Sequence, residues 1–135
     1  MENENTQEKY VELQLLNEQA SQLQQRINLI SNQIQQLKDI SINLEGFGKL
    51  KEDSEILFSL GPGIYTKGIL KDNNLLVNIG SDIIVNKSVP DTIKTIEVQI
   101  NELQEALVES ESIFSSSCLR MQELQDQVSD THEDK

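Results

Sequence analysis

The sequence has no tryptophan, three phenylalanines, two tyrosines, two prolines and one cysteine in 135 residues. With hydrophobic residues at 36% and aromatics at 4%, it lacks the large apolar side chains that fill the core of a compact globule. That shortage fits an elongated protein with a narrow core. The lone Cys118 gives no disulfide framework, which predicts a reducing cytoplasm. The lone histidine, His132, lies among the last residues, and no histidine is near Cys118 in sequence. The chain is therefore expected not to be an enzyme, and Cys118 reads as a half-buried thiol rather than a nucleophile.

Bases are scarce as well, 11 against 23 acids, for a net charge of −12. Residues 1–45 carry seven acids and three bases, residues 46–90 five of each, and residues 91–135 eleven acids and three bases. Acidic flanks disfavour a phosphate backbone and an anionic membrane surface, so neither nucleic acid nor membrane is an expected partner. No run of about 18 apolar residues could span a bilayer. The opening MENENTQEKY is polar and acidic, unlike a signal peptide. Asp72-Asn73-Asn74 lacks the spacing and closing Glu of a calcium loop, and no Gly-Lys-Ser/Thr follows Gly61-Pro62-Gly63. Both read as turns, and no metal or cofactor is expected.

What the chain does have is pattern. Leu13, Leu16, Ala20, Leu23, Ile27, Ile30, Ile34, Leu37, Ser41 and Leu44 follow alternating steps of three and four, the seam of a coiled coil. Gly46 and Gly48 are expected to end this first helix. A second begins at Ser88-Val89-Pro90-Asp91, with a capping Ser, a Pro in the first turn and an acid three residues on. Its seam is Val89, Ile93, Ile96, Ile100, Leu103, Leu107, Ser110, Phe114, Ser117, Met121, Leu124 and Val128.

Folded back on each other, the two series match. Leu44 meets Ile93, Ile30 meets Leu107, Ala20 meets Ser117 and Leu13 meets Leu124, and each pair of numbers sums to 137. This predicts an intramolecular antiparallel coiled coil. Because Ala20 with Ser117 is a thin layer and Lys9 falls opposite Val128, the distal third is expected to pack more loosely than the base. Off the seam, Val11, Leu15 and Leu119 fall near the free tips. Ile40, Ile42 and Phe47 fall near the base, where packing against strands is expected.

Between the arms the rhythm changes. Glu55–Leu60, Ile64–Leu70, Leu75–Ile79 and Ile83–Asn86 read as strands separated by turn residues, hence two β-hairpins. Pro62-Gly63 favours a type II turn, which suits a tight hairpin poorly, so a bulge or wide corner is expected there. Consecutive apolar residues imply burial on both strand faces. Two short hairpins on a thin helical pair cannot provide that cover and leave open edges. Oligomerisation solves both problems. The predicted fold is α+β: a long antiparallel coiled-coil hairpin with two β-hairpins inserted at its base, which close into a β-barrel on oligomerisation. The boundaries are 1–48 and 88–128 for the helices, 49–87 for the hairpin platform and 129–135 for an acidic tail expected to be disordered.

At this point the residues resemble a known family. Heptads, two hairpins and heptads again, with Leu60-Gly61-Pro62-Gly63-Ile64, Lys67-Gly68, Val77-Asn78-Ile79-Gly80 and Lys87-Ser88, look like the α class of archaeal prefoldins. The resemblance covers nearly the whole chain. It implies a hexamer of two α and four β subunits, in which hairpins build a double β-barrel carrying six coiled coils. It also implies an ATP-independent holding chaperone in the cytoplasm that binds unfolded proteins at the coiled-coil tips and passes them to a group II chaperonin. The tip residues in that role would be Val11, Leu13, Leu15, Leu16, Leu119, Met121, Leu124 and Val128. The assembly residues would be Ile56, Phe58, Leu60, Ile64, Ile69, Leu75, Val77, Ile79, Ile83 and Val85. The alternative is a coiled-coil scaffold or filament subunit that holds no client.

Overall fold

The computed structural model describes the backbone of residues 2–133 and the side chains of residues 4–129. In chain order the elements are α1 (Glu2–Gly48), β1 (Glu55–Gly61), β2 (Ile64–Ile69), β3 (Leu75–Asn78), β4 (Ile84–Lys87) and α2 (Val89–Glu133). The fold is α+β, two long helices with two antiparallel hairpins between them. The described residues form two compact units, one of those up to Ile34 with those from Glu102 on, the other of Gln35–Asn101.

The first unit is a two-helix seam. Leu13, Leu16, Leu23 and Ile27 are half-buried and Ala20, Ile30 and Ile34 are buried. From α2 come half-buried Leu103, Leu107, Phe114 and Met121, and buried Ser110, Ser117, Leu124 and Val128. Every position of the three-four series in this unit is thus at least half-buried, while the intervening polar residues face solvent, as an amphipathic stripe requires. Arg120 Nε donates to Glu12 Oε1 at 3.1 Å across 108 residues of sequence, so the second helix returns along the first within one chain.

The seam stays buried through the distal third: Leu124 is 0% exposed and Val128, Ser117 and Ala20 are also buried, while Leu13, Leu16 and Met121 are half-buried. Small side chains at a layer such as Ala20 with Ser117 are themselves readily covered by their neighbours. The backbone of α2 also continues to Glu133, so residues 129–133 are helical rather than a separate disordered tail. No Gly or Pro stands after Val128 to stop it. Residues 134 and 135 of that tail lie outside the described residues.

In the second unit α1 ends at Gly48, so Gly46 lies within the helix instead of terminating it. Lys49 N donates to Gly46 O and Leu50 N to Phe47 O, tightening the last turn into three-residue spacing. A Cβ on Gly48 would sit 3.1 Å from Val89 Cγ1, so the glycine allows the start of α2 to approach. The numbers 48 and 89 sum to 137, as the paired seam predicts. Cysteines replacing Ile30 and Leu107, with Cys118→Ser to remove the native thiol, are therefore expected to oxidise within the chain. Non-reducing electrophoresis checks this, and faster closure of Ile30→Cys with a cysteine at Leu103 or Ile100 would assign a different register.

The start of α2 is capped as expected. Ser88 Oγ accepts from Asp91 N at 3.2 Å, and Ser88 O accepts from both Thr92 N and Thr92 Oγ1. In the first hairpin Glu55 pairs with Ile69 and Ser59 with Tyr65, then the register shifts so that Gly61 pairs with Ile64. Leu60 is the extra residue, the bulge expected beside Pro62-Gly63. Gly63 has φ +75°, which only glycine adopts without cost. The second hairpin pairs Leu75 with Lys87 through Asn78 with Ile84. Its turn has positive φ at Ser81 and Asp82, with Ile83 N donating to Gly80 O, as in the type I′ turn that suits strand twist. Asn73 Nδ2 donates to Leu50 O at 3.0 Å, fixing the linker between hairpins to the segment after α1.

Candidate interaction surfaces

Register decides what each hairpin presents. In a strand, side chains alternate between faces, so Leu75 and Val77 lie on one face with their partners Lys87 and Val85. All four are half-buried. The opposite face carries Leu76, Asn78, Ile84 and Asn86, all exposed, with Leu76 at 74%. Leu75, Val77 and Val85 therefore belong to the inner face of this unit, whereas Ile79 and Ile83 beside the turn are exposed. Two outward residues, Leu76 and Ile84, were missed by sequence reasoning. The signal was present: each is the centre of an apolar triplet, and the centre of a triplet points away from its two neighbours.

The first hairpin divides the same way. Ile56 and Gly68 are paired and half-buried, and the Phe58 ring covers Gly68, where a Cβ would overlap it. Phe58 remains half exposed, and Leu60 and Ile64 stand out around the bulge. The other face presents Leu57, Tyr65 and Ile69, the last 72% exposed. Here too Leu57 and Tyr65 add to the residues expected from sequence. Lys67 Nζ lies 3.5 Å from Glu55 Oε1 on this face, an exposed pair of little energetic weight. Each hairpin is a separate two-stranded sheet, so every strand has an unpaired edge among the described residues. Ile40 and Ile42, expected to pack under the strands, are exposed, and Phe47 alone of the three is half-buried. Two hairpins do not supply the area to cover them.

At the terminal end of the first unit the eight expected tip residues separate into three groups. Leu124 and Val128 are buried in the seam. Leu13, Leu16 and Met121 are half-buried along it. Val11, Leu15 and Leu119 lie off the seam and are exposed, Leu15 at 60% and Leu119 at 65%. The last three present the most surface to a second molecule, and Leu124 and Val128 the least. Leu124→Ala is expected to cost about 2–5 kcal/mol of stability because it leaves a cavity in the seam, whereas Leu119→Ser should leave melting within about 0.5 kcal/mol. Thermal unfolding followed by circular dichroism checks both.

Val11 and Leu15 stand one turn apart on α1, on an open face shared with Glu4, Gln7, Glu8 and Glu12. Arg120 is held by Glu12 at 3.1 Å and by Glu123 at 3.3 Å, so Glu12 is paired across the two helices. The hydrogen bond and charge of Glu12, with Glu123 adding, hold the guanidinium above its ordinary value. Among the described residues no group of His, Cys, Asp and Glu could hold a metal ion, and no helix is long and apolar enough to cross a membrane. Cys118 is a free, half-buried thiol beside the seam.

The family model described as "Prefoldin subunit" matches residues 16–133. The chain is similar to prefoldin subunit alpha of Pyrococcus horikoshii, 30% identical over 106 residues that make up 77% of this chain and 72% of the relative. It is also similar to prefoldin subunit alpha 1 of Methanocaldococcus jannaschii, 27% identical over 95% of this chain and 92% of the relative. Among solved structures, a chain from the cryo-EM structure of filamentous PFD from Methanocaldococcus jannaschii superposes with a TM-score of 0.74. That match covers 87% of this chain and 98% of the other at 17% identity, a likeness of fold.

Proposed function

The chain belongs to the prefoldin family of chaperone subunits, and on that basis we propose that it is an α-type subunit of an ATP-independent holding chaperone. In this reading residues 49–87 form the assembly platform and the two helices form one client-holding arm. The partners are β-type subunits, in a hexamer of two α and four β chains, together with unfolded proteins and a group II chaperonin in the cytoplasm. The observation that carries it is the placement of apolar side chains that the chain itself leaves uncovered. One set, Leu57, Ile69, Leu76 and Ile84, lies on hairpins with open edges, and the other, Val11, Leu15 and Leu119, lies off the seam near the chain ends.

The two sets suit different tasks. Hairpin edges offer backbone hydrogen bonds in a fixed register, so they favour a defined partner with the same kind of edge. Isolated leucine and valine side chains on a solvated helix offer little shape specificity and suit varied apolar segments. Leu13, Leu16 and Met121, half-buried, would extend that surface where the helices part, and Met adapts to irregular partners. Leu124 and Val128 are withdrawn from the client-binding set because they hold the arm together.

Purified with its β-type partner, the subunit is expected to suppress light scattering from a denatured protein diluted into buffer without ATP. Unchanged scattering would overturn the holding role. The second reading, a scaffold or filament subunit, is favoured by one observation, that one structural neighbour comes from a filamentous assembly. Native mass spectrometry separates the two by giving a closed mass or an open ladder.

A further inference from the structure

We propose that the open face along the first turns of α1 selects non-native segments that are both apolar and positively charged. The proposal rests on the holding role above and specifies which clients this subunit takes. Val11 and Leu15 supply the apolar floor, one turn apart and both exposed. Glu4, Glu8 and Glu12 follow at intervals of four on the adjacent ridge, so their carboxylates run alongside that floor. Arg120 occupies Glu12. No basic side chain among the described residues pairs with Glu4 or Glu8, so two carboxylates remain beside an uncovered apolar strip. The surroundings share the sign: residues 1–16 and 119–135 carry nine acids and three bases. A lysine or arginine flanking an apolar stretch would place its stem on Val11 or Leu15 and its charge on Glu4 or Glu8. An acidic segment would meet the summed negative field instead.

The test uses the full subunit in its purified assembly and two short synthetic peptides of identical leucine and valine content, one flanked by lysines and one by glutamates. At low salt the lysine peptide should bind about ten-fold more tightly, the effect of two exposed ion pairs. The preference should vanish in Glu4→Gln/Glu8→Gln, and in ~0.5 M salt, where exposed charges are screened. Circular dichroism of the variant confirms that the helices persist. Equal binding of both peptides, or a preference unchanged in Glu4→Gln/Glu8→Gln, overturns the selectivity and leaves the holding role standing. If neither peptide binds and aggregation is not suppressed, both fall together.

Discussion

Replacing Leu76 and Ile84 together by lysine is expected to disperse the assembly while leaving each chain folded. Both side chains are exposed on the outer face of the second hairpin, so their loss removes no contact within the chain. Burying a leucine or isoleucine contributes about 1.5–3 kcal/mol. Losing two at one interface therefore costs roughly 3–6 kcal/mol, a hundred- to ten-thousand-fold in association constant. Lysine adds the cost of desolvating a charge between two strands and is a common guard of open strand edges. Sedimentation should report single chains and circular dichroism an unchanged helix content. The matched substitution at Val77, on the half-buried face, should instead lower the melting temperature of the chain itself. If the Leu76→Lys/Ile84→Lys assembly keeps its mass, the outer hairpin face is not the joint.

The second large effect is expected at the other surface. Val11→Ser, Leu15→Ser and Leu119→Ser combined should lower affinity for an unfolded protein at least about ten-fold, because three exposed apolar side chains contribute several kcal/mol when covered. Assembly mass and melting should hold, since none of the three lies in the seam or on a hairpin. Titration of the assembly against a fluorescently labelled denatured protein measures the change. An unaltered affinity would place the client contacts elsewhere. Removing residues 1–16 and 119–135 altogether should weaken holding with the subunit count intact, and a collapsed oligomer would place assembly in the arms.

The helices were legible because burial on a helix is periodic in one dimension. Positions from Leu13 to Leu44 and from Val89 to Val128 were assigned from spacing alone, and each is at least half-buried. The cap at Ser88 and the turns at Pro62-Gly63 and Ser81-Asp82 were legible for a similar reason, since local residue chemistry dictates them. Depth of burial was not legible. It depends on how neighbouring side chains cover one another in three dimensions: Ala20 and Ser117, read as a weak layer, are buried, and Leu124 is 0% exposed. Hairpin faces were partly legible: apolar triplets mark a strand with two apolar faces but do not say which face turns inward. Register settles that, placing Leu75 and Val77 inward and Leu76 outward. The exposure of Ile40 and Ile42 could not be read from spacing, because it depends on how much area two short hairpins cover.

A photo-crosslinking residue placed at position 15, and separately at position 76, tests the division of roles most directly. In the assembly mixed with a denatured protein, the probe replacing Leu15 should capture the unfolded chain and should not capture the same protein added in its native state. The probe replacing Leu76 should capture another subunit whether or not a client is present. Client captured at position 76, or none at position 15, would contradict the separation of a holding end from an assembling hairpin.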